Sequence, residues 1–166
     1  MGSDDVTGTD LPLAWPLYLL AVIRLTVDGE RMLLHATSEE GATADFPYSE
    51  PVHIVTAWNP NGTTLTVAEN EESQYKLLND SALASASVHA CTGGDRAGTH
   101  QEPSLLLENI TTEVALALGH SYGQDAIFRW SRTSFDLLSC RSEVAARRRW
   151  TLQPDPVGTP SSVEDA

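Results

Sequence analysis

The sequence predicts an α+β fold: a ferredoxin-like (split βαβ) core with an added N-terminal hairpin and a C-terminal strand. Apolar runs of strand length recur through the middle of the chain, and two segments between them have helical periodicity. The elements follow as a hairpin, then β-α-β-β-α-β, then one more strand, and the central part is typical of the ferredoxin-like arrangement. Because crossover connections are right-handed, we expect both helices on one sheet face. A different α+β sheet with the same elements is the alternative.

The first hairpin is predicted by Asp28-Gly29, which lies between the apolar runs 23–27 and 32–35. Asp-Gly between two such runs is typical of a tight turn, because the turn needs positive φ angles. Residues 39–48 are then expected to form a loop. Residues 52–58 are apolar on both faces, which predicts a central strand that ends before the turn-forming Pro60, Asn61 and Gly62.

The first helix is predicted over Asn70–Leu83, where apolar residues share one helical face. A short strand at 87–91, a glycine-rich loop at 92–101 and a buried strand at 103–108 are expected to follow.

The second helix is predicted from Thr111 or Thr112, either of which can cap it, to Tyr122. A final hairpin is expected to join strands at 126–130 and 135–140.

The net charge limits the possible partners. The chain has 166 residues, which fits one domain, and its formal net charge is -13. This charge argues against nucleic acid, whose binding depends on Lys and Arg that neutralise phosphates, and against anionic membrane surfaces. The apolar segment 11–23 is too short for a membrane helix and follows acidic residues, unlike a signal peptide. We therefore expect a cytoplasmic protein with no nucleic-acid or membrane partner.

Composition divides the chain into one domain and two tails. Residues 1–12 are polar and are predicted to form a mobile tail. Residues 13–145 are predicted to form a single α+β domain, and residues 152–166 a disordered acidic tail rich in proline. Residues 147–149 are three consecutive arginines, which we interpret as a solvated run that pairs with nearby carboxylates.

Three polar segments follow apolar runs, and together they suggest one site. The first of them comes at the end of the predicted central strand, and such strand ends often carry ligand sites in open sheets. The segments are Trp58-Asn59-Pro60, Glu102-Pro103-Ser104 and Gly123-Gln124-Asp125-Ala126. The candidate ligand-binding residues are Trp58, Asn59, Asn70, Glu102 and Gln124.

Each candidate also has a structural interpretation. Trp58 could stack on a planar ligand or belong to the core, and Asn59 could bind an amide or a carboxylate or form a turn. Asn70 could cap the first helix or face the pocket. Glu102 could act as a general acid or base if it is semi-buried, and Gln124 could contact a ligand or clamp its connection.

No catalytic or cofactor motif is complete in the sequence. His89-x-Cys91 and His100-x-Glu102 contain metal-ligand residue types, but the zinc-deaminase pattern also needs a Pro-Cys-x-x-Cys element that is missing. Cys91 beside a histidine could form a thiolate pair, although a buried strand cysteine is the simpler interpretation. The glycine-rich loop 93–98 lacks the Lys-Ser/Thr ending of a phosphate-binding loop. We therefore expect no metal and no cofactor.

The three polar segments and Asn70, taken in order and spacing, resemble a family of small bacterial proteins catalogued as the domain-of-unknown-function family numbered 3293. The resemblance covers roughly residues 20–140 and implies a single bacterial domain. It implies no reaction, cofactor or partner.

Three functional hypotheses follow. The first is a binding module for a small polar or planar ligand, or for a segment of a partner protein. The second is an enzyme in which Glu102 is the general acid or base and Asn59 and Gln124 orient the substrate. The third is a protein-association domain that uses a sheet edge, with the polar residues only satisfying buried backbone groups.

Overall fold

The computed structural model describes residues 18–38 and 45–157, which form eight strands and two α-helices. The helices are α1, Val67–Leu78, between the third and fourth strands, and α2, Thr112–Ser121, between the fifth and sixth. Short 3-10 turns at Pro60–Gly62 and Ser81–Leu83 flank α1. The strands are β1 Val22–Val27, β2 Glu30–Thr37, β3 Val52–Val55, β4 Ser87–Gly94, β5 Gln101–Glu108, β6 Ala126–Trp130, β7 Phe135–Ser139 and β8 Ala145–Pro154.

The strands form a closed antiparallel barrel in the order β1-β2-β8-β7-β6-β3-β5-β4, with β4 paired back to β1. The predicted ferredoxin-like α+β fold is therefore wrong. The elements from β3 to β6 follow one another along the chain as predicted, but their sheet continues through β7, β8, β2 and β1 until it closes. Closure satisfies the backbone N–H and C=O groups that an open sheet would leave unpaired at its two edges.

The fold prediction is wrong chiefly at β8, because the sequence predicts a solvated basic run and a tail where the structure has this strand. β8 pairs with β2 on one side and β7 on the other, so it completes the barrel. Ala146 and Trp150 are buried, whereas all three arginines between them are exposed, so the basic run lies inside a barrel strand. β8 continues to Pro154, past residue 145, where the predicted domain ends, and into the predicted tail.

Three local predictions, two hairpins and the second helix, agree with the structure. The first hairpin is confirmed, and its turn residues Asp28 and Gly29 have φ angles of 50° and 81°. The second helix is confirmed with Thr111 as its N-cap, and the final hairpin is confirmed as β6 and β7. The predicted tail at 1–12, the last nine residues of the other tail and part of the loop at 39–48 lie outside the described residues.

α1 begins earlier than predicted because Thr66, not Asn70, caps it, and it also ends earlier, at Leu78. The Glu69 N–H donates to the Thr66 hydroxyl at 3.1 Å, and the Thr66 N–H donates to the Glu69 carboxylate at 3.0 Å. This reciprocal pair is a capping box. The helix stops at Leu78, and Asp80 starts a separate 3-10 turn by accepting a hydrogen bond from the Ala82 N–H.

Aromatic side chains fill one end of the barrel. Trp130 and Trp150 meet edge to face with ring centroids 5.2 Å apart, and Phe46 packs edge-on against Trp130 at 5.1 Å. Tyr48 packs against the same indole at 5.8 Å. The Trp150 indole N–H donates to the carbonyl of Ser131 at 2.9 Å, so this buried ring keeps a polar partner. The segment that carries Phe46 and Tyr48 thus closes this end.

Both helices pack on the outer face of the barrel, over β3, β5 and β6, and form a second apolar core there. The buried members of this outer core are Val55, Ala57, Leu77, Leu83, Leu105, Leu107, Ala115, Leu118 and Ile127.

Neither helix of the described residues is long and apolar enough to cross a membrane.

A buried ion pair fastens the chain where β8 ends. The side chains of Arg24 in β1 and Asp155, just after β8, are almost fully buried, and Arg24 Nε lies 3.2 Å from the Asp155 carboxylate. The Arg24 guanidinium also donates to the carbonyls of Asp95 and Arg96 at 2.9 and 2.7 Å. One side chain therefore joins β1, the end of β8 and the loop between β4 and β5.

His53 of β3 is buried beneath the start of α2, with 2% of its surface exposed. Its Nε2 lies 2.9 Å from the Thr112 hydroxyl oxygen. Burial, and to a smaller degree the nearby charge of Arg129, lowers the pKa of His53 from 6.5 to about 4. The imidazole is therefore neutral in the folded protein near neutral pH.

We expect His53 to make the protein less stable in mild acid. The unfolded chain takes up the proton near pH 6.5 and the folded protein only near pH 4, so this contribution is complete above pH 6.5 and is lost as the pH falls towards 4. At about pH 5 the loss is about 1–2 kcal/mol. Urea denaturation at neutral and acidic pH checks this: His53→Gln should lose less stability on acidification than wild type. Equal losses in the two proteins would contradict it.

Candidate functional site

A cavity of about 470 Å³ opens at the end of the barrel opposite the aromatic cluster. Three small residues on inward-facing positions, Gly93, Ser104 and Ala126, leave this space unfilled. The deeper wall is apolar. Where the chain enters β1, the cavity is lined by Tyr18, Leu20 and Ala21. The apolar side chains that line it include Ile23, Ile54, Phe128 and Leu137.

The mouth of the cavity carries six polar residues, which we call the polar rim. It combines residues at or near the mouth ends of β3 and β5, the loop between β4 and β5, and the residue two positions before β6. The lining contains no Lys or Arg among the described residues. The members of the polar rim are Thr56, Asp95, His100, Glu102, Ser104 and Gln124.

Hydrogen bonds fix the acidic side of the rim. Glu102 Oε2 lies 3.1 Å from His100 Nε2, and the Glu102 side chain is 25% exposed. The Asp95 carboxylate accepts hydrogen bonds from the N–H groups of Thr99 and His100 at 2.8 and 3.1 Å. The Ser104 hydroxyl donates to the Glu102 carbonyl at 3.1 Å. The two carboxylates are thus held at the mouth by their own loop and strand.

Tyr18 extends this polar region from the segment that precedes β1. Burial raises the pKa of Tyr18, and the charges of Asp125 and Glu102 raise it further. The phenol therefore keeps its proton and lies within reach of acidic groups. Asp125 itself accepts a hydrogen bond from Arg141 at 2.8 Å.

Asn59 and Asn70 form a reciprocal clamp beside the barrel rather than part of the cavity wall. The Asn59 N–H donates to Asn70 Oδ1 at 2.7 Å, and Asn70 Nδ2 donates to Asn59 Oδ1 at 2.8 Å. Asn59 Oδ1 also accepts from the Leu65 N–H at 3.0 Å. Asn59 has a φ of 47°, a left-handed conformation that Asn tolerates better than most residues. The pair therefore fixes the loop that connects β3 to α1.

Gln124 links this loop to the cavity. Its Nε2 donates to the carbonyls of Trp58 and Tyr122 at 3.1 and 3.2 Å, while its side chain also lines the mouth. The Asn61 N–H donates to the Gly123 carbonyl at 2.7 Å. Gly123 has a φ of 73°, and a Cβ there would lie 2.7 Å from the Cβ of Pro60, so only glycine allows the two loops to pack this closely.

The five predicted site residues therefore separate into two groups. Glu102 and Gln124 line the cavity, whereas Trp58, Asn59 and Asn70 are absent from its lining and brace the loop next to it. Sequence reasoning did not assign Thr56 or Asp95 to the site. It placed Ser104 in one of the three polar segments without giving it a role, and it considered His100 only as a metal ligand or as a partner of Cys91. The available signal was the small residues at inward positions of β4, β5 and β6, which is informative only once the strands are known to close into a barrel.

The structure gives no support for a cysteine nucleophile. Burial raises the pKa of the Cys91 thiol to about 12, so it stays protonated at neutral pH. His89 Nε2 lies 2.6 Å from the Glu108 carboxylate instead. Across the described ranges, no group of three or more His, Cys, Asp or Glu side chains is arranged to hold a metal ion.

We expect the Asn59–Asn70 clamp to be structural and energetically coupled. Asn59→Ala leaves the Leu65 N–H without its acceptor and leaves Asn70 Nδ2 with only a long bond of 3.5 Å to the Leu65 carbonyl. Asn70→Ala leaves the Asn59 N–H unpaired, so each variant should lose about 1–3 kcal/mol. Because they share a hydrogen bond, the double variant should lose at least about 0.5 kcal/mol less than the sum.

Urea denaturation of the single and double variants measures this coupling. Asn79→Ala is the control, since its exposed side chain bonds only the Tyr75 carbonyl and should cost no more than about 0.5 kcal/mol. Strictly additive losses at Asn59 and Asn70 would show that the two side chains act separately.

The family of proteins of unknown function designated DUF3293 matches residues 55–127 of the chain, a shorter segment than the resemblance found in the sequence. Comparisons with curated proteins and with solved structures give no significant match. The matched segment runs from the last residue of β3 to the second residue of β6 and contains all six residues of the polar rim. The predicted resemblance is thus confirmed: the chain is similar to the DUF3293 family in the part that forms the mouth of the cavity.

Proposed function

We propose that the protein binds one small molecule in the barrel cavity, and that this molecule has an apolar body and a basic or hydrogen-bond-donating end. The observation that carries the proposal is a cavity of about 470 Å³ with an apolar interior and an acidic rim. Pockets for small molecules are typically about 300–1,000 Å³ and combine apolar walls with a few polar groups. Barrels of about eight strands are also wide enough to hold one small ligand.

The inner wall suits an apolar and partly planar body. Ile23, Ile54 and Leu137 supply aliphatic surface, and Phe128 supplies an aromatic ring. Phe128 stacks on Phe135 with centroids 4.9 Å apart and planes only 12° apart. This stacking fixes the ring orientation, so the ligand meets a preformed aromatic surface and the ring loses little freedom when the ligand binds.

The rim suits a positively charged or donating end. Asp95 and Glu102 supply carboxylate oxygens, and the formal net charge of -13 adds a long-range attraction for cations. The Glu102 carboxylate can accept a hydrogen bond from a ligand donor, because the His100 imidazole can move away from it or turn together with it. A ligand with a carboxylate at this end would meet repulsion instead.

The barrel has different consequences for the two alternative hypotheses, an enzyme and a protein-association domain. Glu102 at the mouth, beside His100, keeps the enzyme hypothesis open, with the two groups in reach of a bound substrate. Asn59 cannot orient that substrate as proposed, since its side chain is engaged in the clamp. Association through a sheet edge is less favoured, because the eight described strands close into a barrel and β4 is paired with β1 over residues 92–94 only, which leaves residues 87–91 as a short edge.

We expect three matched aromatic probes to show which functional group the polar rim prefers. The set is 2-phenylethylamine, 2-phenylethanol and phenylacetic acid, which share a ring and differ in charge. The amine should bind most tightly, the alcohol less tightly and the acid least, as measured by isothermal titration calorimetry. Ala126→Leu, which fills the cavity from β6, should abolish amine binding. Ala90→Leu, on an exposed position of β4, should retain it. No binding of any probe to wild type, or equal binding to both variants, would overturn the proposal.

Glu102 should determine the preference for the amine and should not affect how the aromatic ring of the probe binds in the cavity. Glu102→Gln removes the charge but keeps the shape, so the affinity for 2-phenylethylamine should fall about two- to fivefold, the effect of a partly exposed ion pair. The affinity for 2-phenylethanol should not change. Glu71→Gln, an exposed substitution on α1 with the same change in net charge, is the control. An equal loss in both glutamine variants would mean that only the overall charge matters.

A further inference from the structure

A second hollow, of about 570 Å³, lies on the outer face of the barrel at the start of α2. It is lined by the chain that leads into β3, by β3 and β6 themselves, and by the turn that joins β5 to α2. Unlike the barrel cavity, it is mostly polar. The residues that matter for its chemistry are His53, Glu108, Thr111, Thr112 and Arg129.

His53 and Arg129 lie side by side in this hollow and share an unusual feature. They are direct cross-strand partners on β3 and β6, so both side chains project from the same outer face. Nδ1 of His53 and Nε of Arg129 are buried, and neither has a hydrogen-bond partner within the described part of the chain. Buried polar atoms are rarely left unpaired, so these two nitrogens, which are among seven such atoms of the described residues, mark a place where the chain does not complete its own hydrogen bonding.

The charge of Arg129 also lacks a counterion. No carboxylate of the described residues lies within ion-pair distance of its guanidinium, although Asp136 is its cross-strand partner on β7. Asp136 lies within ion-pair distance of the exposed Arg147 instead, whose Nε is 3.4 Å from Oδ1, although this buried oxygen accepts no hydrogen bond from the described residues. A partly buried guanidinium without a carboxylate, in a chain with 23 acidic residues, favours an anion supplied from outside.

The start of α2 adds donors of the right kind. Thr111 caps the helix by accepting a hydrogen bond from the Val114 N–H at 3.2 Å. The N–H groups of Thr112 and Glu113 belong to the first turn, where the helix itself supplies no acceptor. α2 has ten residues, and the N-terminus of such a helix attracts anions through its free N–H groups and its dipole.

The acidic residues of the hollow limit the size and charge of the anion. Glu108 lines it, but its carboxylate is engaged by His89 at 2.6 Å. Glu50 also lines it and is exposed. These two carboxylates and the net charge of -13 disfavour a polyanion such as nucleic acid, so the hollow fits at most one small oxyanion, held next to Arg129.

We infer that this hollow is a second binding site, which takes a single phosphate or carboxylate group between the Arg129 guanidinium and the first turn of α2, with His53 as its buried floor. Arg129 supplies a forked pair of donors that matches the spacing of two oxygens in either group. The site lies on the opposite side of the sheet from the barrel cavity and does not depend on the cavity having a ligand.

An NMR titration of the full chain with potassium phosphate and with potassium acetate tests this inference. Potassium chloride at matched ionic strength is the reference. A saturable shift of the Thr112 and Glu113 amides and of the His53 imidazole nitrogens, with either oxyanion and not with chloride, is the expected result. The stronger of the two oxyanions identifies the group as a phosphate or a carboxylate. The absence of a saturable shift with both, or the same shift with chloride, would overturn the inference.

Two arginine variants test the role of the guanidinium. Arg129→Gln should weaken oxyanion binding at least about tenfold, because a charge-assisted hydrogen bond is lost. Arg148→Gln is the matched control, since it makes the same change in net charge on an exposed position of β8, which does not line the hollow. Removing an unpaired charge should not unfold the protein, and the amide spectrum verifies the fold. Equal weakening in both variants would reduce the effect to general charge and contradict the site.

Discussion

The buried Arg24–Asp155 pair is the interaction on which the arrangement of the barrel and its cavity most depends. The seam between β1, β2 and β8 must be held because β8 comes last in the chain and completes the sheet. Asp155 follows β8 directly, and its N–H also donates to the Arg31 carbonyl of β2 at 3.0 Å. A buried ion pair is weak evidence for stability. It does constrain geometry, because a buried charge that lost its partner would destabilise the folded protein. The pair therefore fixes where β8 stops.

The same guanidinium connects closure to the binding site. Arg24 binds the carbonyls of Asp95 and Arg96, and the Asp95 carboxylate in turn binds the N–H groups of Thr99 and His100. The loop between β4 and β5 is thus fixed by hydrogen bonds to its backbone carbonyls, from Arg24, and to its backbone N–H groups, from Asp95. This loop presents Asp95 and His100 to the mouth of the cavity, so the acidic rim is built on the closure of the sheet.

The sequence allowed prediction of what depends on near neighbours in the chain. Asp28-Gly29 specifies its hairpin through positive φ angles, and the α2 cap lies within three residues of its partner. The barrel could not be predicted in this way, since it depends on β1 pairing with β4 and on β2 pairing with β8 more than a hundred residues away. Asn59 and Asn70 show the same limit at the site. The sequence indicates that both residues matter, but only the folded loop shows that they form hydrogen bonds with each other.

The two candidate sites arise from one structural rule applied to the same pair of strands. Ile54 and Phe128 are opposed across β3 and β6 and face the cavity, whereas their chain neighbours His53 and Arg129 are opposed on the outer face. Alternation of side chains along a strand therefore separates the apolar pocket from the polar hollow that contains Arg129 by one residue. A slip of one residue in either strand would put Arg129 or His53 into the apolar interior. The register of β3 against β6 is thus a requirement of both sites, and burial of an unpaired charge is the penalty that enforces it.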